Sequence, residues 1–206
     1  MSLSKFVAER LRISSNTKSA SKGPTTRDEL RTLIEQELKR QGPDADLNHI
    51  DTSKIIDMSY LFKDLDIRNI KIDRWDVSNV EDMSSMFWAC EKFTADLSGW
   101  DVRKVKDMYG MFMNCHKFNS DLSNWNVSKV TSFASMFYDC RQFNSDLSTW
   151  DVSKATTLAS MFNGATKFKS DLSGWNVSNV NHRWHIFNAC PNMKPNPDLQ
   201  PNFLGI

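Results

Sequence analysis

Apolar and polar positions follow a pattern that repeats every 25 residues over most of the chain. The stretches FNSDLSNWNVSKV (118–130) and FNSDLSTWDVSKA (143–155) agree at ten of thirteen positions. One tryptophan marks each repeat: Trp75, Trp100, Trp125, Trp150 and Trp175. A fixed period of this length predicts a stack of equivalent coils, in which each coil buries the apolar face of its neighbour, and not a set of separate domains.

Two kinds of local structure are predicted within each coil. Met108, Met111, Phe112 and Cys115 fall at i, i+3, i+4 and i+7, which is helical spacing. Good N-cap residues precede this group in successive repeats: Asp57, Asp82, Asp107, Ser132 and Thr157. We therefore predict a short α- or 3₁₀-helix over 108–115 and its equivalents.

A short strand is predicted on the other side of the coil. The segment 121–123 places Leu122 inward, and Trp125 and Val127 then alternate with outward Asn126. Such segments would pair between coils as a parallel sheet. About six such coils are predicted from residue 50 onwards. In this arrangement Trp125 would be stacked between Trp100 and Trp150.

A helix is predicted ahead of the repeats, over 27–41. Thr26 and Glu29 form a capping-box pattern, and Gly42 followed by Pro43 gives a stop signal. One apolar stripe runs along this helix: Leu30, Leu33, Ile34 and Leu38. Because the ends of a repeat array expose core, we expect the helix to cover the first coil.

The chain divides into four predicted segments. Residues 1–23 carry five basic residues against one acidic residue and are expected to be a flexible basic arm, with a docking helix over 4–13 as the alternative. Residues 24–49 form the capping helix and entry loop, and 50–190 form the repeats. Residues 191–206, which contain four prolines, are expected to close the other end, because proline lacks an amide to extend a sheet edge.

The repeat resembles a known family. The consensus MFxxCxxFxxDLSxWDVSxVxxM, which residues 86–108 match except at Arg103, resembles the BspA-like leucine-rich repeats of bacterial surface proteins. It is similar, more narrowly, to a 25-residue repeat of mycoplasma lipoproteins catalogued as a domain of unknown function. This resemblance implies an α/β fold, a right-handed leucine-rich-repeat-like solenoid, and a role in adhesion or protein binding.

Charge and cysteine usage bear on the compartment. The formal net charge is +1, so the chain as a whole has no field that would attract nucleic acid or a membrane. No apolar run is long enough to span a bilayer, and no secretory signal is recognisable. Cys90, Cys115 and Cys140 share one apolar slot and are expected to be free, inward thiols. We therefore expect a cytoplasmic protein, with a surface or secreted location by a non-standard route as the alternative.

No residue pattern predicts catalysis, and no cofactor or metal is expected. Four aspartates recur at the 25-residue interval, and we call them the aspartate ladder: Asp96, Asp121, Asp146 and Asp171. Their carboxylates either bind calcium ions along the stack or accept hydrogen bonds from backbone amides at a corner of the coil. The second reading is favoured, and no nucleic-acid partner is expected.

Surface positions that vary between repeats are more informative about function. Candidate partner-binding residues are Trp88, Met113, Tyr138, Glu91, His116 and Arg141. The sequence thus predicts a non-enzymatic protein–protein interaction module with an unidentified protein partner. A structural or assembly scaffold is the alternative, and the oligomeric state stays open.

Overall fold

A computed structural model of the protein describes residues 23–203. In this part of the chain one α-helix, α1 (Arg27–Gln41), precedes a long turn-rich region, and a single turn of 3₁₀ helix (Pro197–Leu199) follows it. We call residues 45–190 the repeat stack, because successive 25-residue repeats lie one on another there. The predicted basic arm and the helix over 4–13 lie outside the described residues.

Helix α1 begins and ends where the sequence predicts. The Glu29 amide donates to the Thr26 hydroxyl, and the Glu29 carboxylate accepts from the Thr26 amide, both at 3.3 Å. The Gly42 amide donates back to the Leu38 carbonyl at 2.8 Å and closes the helix. Of the predicted stripe, Leu30 and Ile34 are fully buried in the core, whereas Leu33 is exposed.

The predicted α/β leucine-rich-repeat solenoid of six coils is wrong. Between residues 23 and 203 the only α-helix is α1, and no strand forms. Adjacent repeats share isolated parallel bridges, such as Asp82 with Asp107, in place of a sheet. The helix predicted over 108–115 and the strand predicted at 121–123 are both absent.

Left-handed backbone conformations explain why no helix forms over 108–115. Gly110 has φ of 56° and Asn114 has φ of 62°, and a right-handed helix cannot pass through such residues. The same two positions are left-handed in the other repeats: Tyr60 and Asp64, Ser85 and Ala89, Ser135 and Asp139, Ser160 and Gly164, and His185 and Ala189. The glycine, asparagine and aspartate residues at some of these positions tolerate this conformation best.

Backbone hydrogen bonds hold successive repeats in register. The amides of Met83, Ser85 and Phe87 donate to carbonyls 24 residues further on, at 2.7–3.0 Å. The amides between them donate within their own repeat: Ser84 to the Asp82 carboxylate at 2.7 Å, and Met86 to the Met83 carbonyl at 3.2 Å. Every second amide thus points to the next repeat, which fixes the 25-residue period without a sheet.

Stacked phenylalanines form the core. The rings of Phe62, Phe87 and Phe112 lie 5.1 and 5.5 Å apart and nearly parallel. This column continues through Phe137, Phe162 and Phe187, and a second column contains Phe93, Phe118, Phe143 and Phe168. Stacked aromatic pairs add about 0.5–1.5 kcal/mol each beyond the area that they bury.

The tryptophans that mark the period tie neighbouring repeats together through hydrogen bonds. The Trp125 indole nitrogen donates to the Leu97 carbonyl at 3.0 Å, 28 residues back, and its ring lies 6.4 Å from that of Phe112. In the described residues no tryptophan ring contacts another, so the expected Trp125 stacking between Trp100 and Trp150 is wrong. Trp125 is nevertheless 3% exposed and belongs to the core.

Different groups cover the two ends of the repeat stack. At the first repeat, the Arg31 guanidinium of α1 donates to the carbonyls of Leu61 at 2.9 Å and Tyr60 at 3.2 Å. Past the last repeat, the Leu199 carbonyl accepts the Leu172 amide at 2.9 Å, and Phe203 packs on the core. Segment 193–203 therefore covers one corner of the last repeat.

Gly164 offers a test of the left-handed turns. Its φ is 76°, and an added Cβ would lie 3.1 Å from the Asp139 carboxylate and 3.2 Å from its Cα. We expect Gly164→Ala to lower the free energy of unfolding by about 2 kcal/mol, because strain and crowding act together. Gly174→Ala is the matched control, since Gly174 has open space and no left-handed φ. Equal chemical-denaturation midpoints for the two variants would contradict this account.

Candidate binding face

The six predicted partner-binding residues occupy two rows that cross three adjacent repeats. Trp88, Met113 and Tyr138 follow the first phenylalanine column and are all half-buried. Glu91 and Arg141 are exposed, and His116 is half-buried. Because residues 25 apart occupy equivalent places in stacked repeats, each row runs along the stack.

Trp88 contacts the repeat before it. The Lys63 ammonium lies 4.1 Å from the centre of the Trp88 ring, and the Tyr60 ring lies 6.5 Å away at a tilt of 46°. Lys63 occupies the same slot as Trp88 one repeat earlier. Neither partner is among the predicted site residues, although the 25-residue offset from Trp88 locates Lys63.

A charged cluster joins the second row. The His116 Nε2 lies 3.0 Å from the Asp139 carboxylate, and its Nδ1 lies 3.8 Å from Glu91. Arg141 donates to both oxygens of Asp139, at 3.0 and 2.8 Å. Burial alone would raise the pKa of Asp139, but the Arg141 and His116 contacts outweigh it and the pKa is lowered. Asp139 was missed as a member of the site.

One slot of the stack carries different chemistry in each repeat while staying half-buried. Its occupants are Lys63, Trp88, Met113, Tyr138 and Asn163. We call these residues, together with Glu91, His116 and Arg141, the variable face. Their neighbours in the chain, such as Phe87 and Phe112, are fully buried and identical. The stack thus presents a cation, two aromatic rings, a thioether and an amide in fixed order along one face.

The aspartate ladder is bound into the corner of the coil. The Asp96 carboxylate accepts from the Ser98 amide at 2.9 Å and from the Ser120 hydroxyl of the next repeat at 3.1 Å. The Ser120 hydroxyl in turn accepts the Leu97 amide at 2.9 Å. Asp121 with Ser145 and Asp146 with Ser170 repeat this arrangement. The geometry favours the interpretation in which these carboxylates accept hydrogen bonds at a corner of the repeat over the one in which they bind calcium.

The cysteine thiols point inward and donate hydrogen bonds. The Sγ atoms of Cys90 and Cys115 donate to the carbonyls of Phe62 and Phe87, each at 3.0 Å, and Cys140 makes the same bond to Phe112 at 2.8 Å. All three residues are buried and free, as predicted. They serve as small core residues that link adjacent repeats.

These observations define a repeat protein whose core columns are uniform and whose variable face is not. A family model described as "Mycoplasma protein of unknown function, DUF285" matches residues 35–141 and again residues 95–200. The chain belongs to this family. The search of curated proteins returned no match. The search of solved structures also returned none. From residue 23 to residue 203, no helix is both long enough and apolar enough to cross a bilayer.

Thiol reactivity tests the inward column. Burial raises the pKa of the Cys90 thiol to about 12 and that of Cys190 to about 11, and it also raises the pKa of Cys115 well above its usual range. Since the thiolate is the reactive form, we expect all four thiols to react with a disulfide reagent at pH 8 far more slowly in the folded chain than in the unfolded chain. Rapid reaction of Cys115 in the folded protein would contradict the buried column.

Acid stability tests the aspartate ladder. Backbone hydrogen bonds from the following serines are the main reason that the pKa values of Asp96, Asp121 and Asp146 are lowered. A carboxylate with a lowered folded pKa contributes stability that is present above its unfolded pKa, near 4, and is lost as pH falls. We expect the free energy of unfolding, measured in urea, to fall less between pH 7 and pH 3 in the variant with all three aspartates changed to asparagine than in the unsubstituted chain.

The exposed Asp198 gives the control for that experiment. Asp198→Asn should leave the acid decline as steep as in the unsubstituted chain. A triple variant with an equally steep decline would show that other groups set the acid limit.

Proposed function

We propose that the protein is a non-enzymatic interaction module that binds another protein through the variable face. The observation that carries this proposal is a contrast between two adjacent positions of the repeat. The buried position is phenylalanine in successive repeats, whereas the half-buried position after it holds a different residue in each. Side chains that vary on an unchanging stack can determine specificity without altering the fold. The relation to BspA-like repeat proteins is part of this proposal, as is a reducing cytoplasmic location in keeping with the free thiols.

Trp88 and Tyr138 supply the chemistry that protein interfaces use most. Aromatic residues with a partly exposed ring are favoured as binding hot spots. The Lys63 ammonium over the Trp88 ring contributes about 0.5–1 kcal/mol in cation–π contacts of this exposed kind. A ring that is already held in place loses less side-chain freedom when a partner binds.

The charged cluster adds selectivity beside the aromatic row. Arg141 and Glu91 are exposed and carry opposite charges on neighbouring parts of the face. A partner must match both signs, because like charges brought together at an interface are costly. We therefore expect a partner with an apolar anchor that fits near Trp88 and charges of the opposite order.

Paired substitutions test the face against the core. Trp125→Ala should lower the free energy of unfolding by about 3–5 kcal/mol, as large-to-small core changes do. Trp88→Ala and Tyr138→Ala should each cost about 1 kcal/mol or less, because these rings are half-exposed. Thermal melts of the three variants check whether Trp125 belongs to the core and Trp88 and Tyr138 do not.

Capture from a lysate of the source cells checks the second part. We expect the immobilised chain to retain a defined protein, and Trp88→Ala or Tyr138→Ala to weaken its binding by about 2 kcal/mol, roughly thirtyfold. The matched control carries Lys129→Ala and Lys154→Ala, two exposed positions away from the variable face. Normal binding by both aromatic variants would refute this face. Stable self-association without any partner, measured by light scattering, would favour the scaffold alternative.

A further inference from the structure

The last repeat has a row of backbone amides without acceptors. One repeat earlier, the amides of Ser160 and Phe162 donate to the Trp184 and Ile186 carbonyls at 2.9 and 3.0 Å, and the Gly164 amide donates to the Asn188 carbonyl at 2.9 Å. The equivalent amides of the last repeat belong to His185, Phe187 and Ala189. No group among residues 23–203 accepts a hydrogen bond from these three amides.

This edge offers donors and almost no acceptors. The His185 and Phe187 carbonyls already accept the amides of Asn188 at 3.2 Å and Cys190 at 3.1 Å within the same repeat. The edge of an ordinary sheet presents amides and carbonyls together. Unpaired backbone amides that lie close together are suited to bind anionic oxygen atoms.

Basic side chains and a cleft accompany the amides. A cleft of about 350 Å³ is lined by two of the three residues, His185 and Phe187, together with Arg183, Lys194 and Phe203. Arg183 is exposed; it donates to the Phe203 carbonyl at 3.2 Å, and its guanidinium lies 5.5 Å from the centre of the Phe203 ring. No carboxylate of the described residues lines the cleft. We call the three amides, Arg183 and Lys194 the donor end.

We propose that the donor end binds an acidic peptide segment of a partner protein. Main-chain carbonyls of the peptide accept from the amides of His185, Phe187 and Ala189, in the way that a peptide extends an exposed edge. Side-chain carboxylates of the peptide pair with Arg183 and Lys194. This site is separate from the variable face and does not depend on it.

A second copy of the chain does not complement the donor end. The opposite end of the stack offers carbonyls, but the Arg31 guanidinium already donates to those of Leu61 and Lys63, at 2.9 and 3.4 Å. Arg27 of the same helix donates to the Ser59 hydroxyl at 3.1 Å, so α1 already covers part of this end. Two donor ends facing each other would bring donors against donors.

Amide resonances of the isotopically labelled full chain give the direct test. The probe is an acetylated, amidated hexaglutamate peptide, and the matched probe is hexaglutamine. We expect hexaglutamate to shift the amide signals of His185, Phe187 and Ala189 while those of Ser160 and Phe162 stay in place. Hexaglutamine should bind at least tenfold more weakly.

Charge removal gives the second arm. Arg183→Gln with Lys194→Gln should weaken hexaglutamate binding at least tenfold and leave the thermal melt unchanged. The control, Lys129→Gln with Lys154→Gln, should bind normally. Full binding by the Arg183 and Lys194 variant would overturn the proposal and point to the basic residues of segment 1–22.

Three further outcomes would overturn the proposal. Equal shifts with inorganic phosphate would indicate a small-anion site. Binding only after residues 204–206 are removed would show that the chain's own end occupies the cleft. Concentration-dependent dimerisation that hexaglutamate does not affect, measured by sedimentation, would indicate a second copy.

Discussion

The hydrogen bond from an amide of one repeat to the carbonyl 24 residues further on is the interaction on which the structure depends. It recurs at every second residue along one side of the coil, as from Phe87 to Met111 at 2.9 Å. Because the intervening amides donate within their own repeat, the amides on this side of the repeat already have acceptors and none is left to form a helix or a strand. The period can then take only one value, and equivalent side chains must lie above one another. The phenylalanine columns and the thiol column follow from that register.

The direction of these bonds makes the two ends of the stack chemically different. All amides in the row point toward the last repeat, so one end is left with carbonyls and the other with amides. Helix α1 supplies Arg31 to the carbonyl end, where a guanidinium with several donors can satisfy more than one oxygen. At the amide end, segment 193–203 places the Leu199 carbonyl over the Leu172 amide and leaves the row from His185 to Ala189 open. The two ends of this row therefore need unlike caps, whereas on another side of the repeat the amides of Lys106 and Thr131 donate the opposite way, to the preceding repeat.

The sequence predicts the features that rest on local chemistry or on the period. Helix α1, its capping box and the inward thiols are confirmed because each depends on a few nearby residues or on one repeated slot. The helix expected at 108–115 is absent because apolar residues at i, i+3, i+4 and i+7 also suit a series of tight turns that point the same side chains inward. Gly110 and Asn114 were the available signals for left-handed turns. In the binding face, Asp139 and Lys63 were missed because their contacts join separate repeats, which a reading along one repeat does not show.

The groups that hold the repeats in register are different from the side chains proposed to bind a partner. Main-chain groups and buried side chains set the stacking, so residues such as Trp88 and Met113 can differ without disturbing it. The Lys63–Trp88 contact shows the limit of this freedom, because a side chain in this slot still meets the occupant of the neighbouring repeat. Specificity on such a face is therefore a property of adjacent pairs in the row. A substitution at one slot changes the neighbour's environment as well as its own, and double substitutions in adjacent repeats should not act additively.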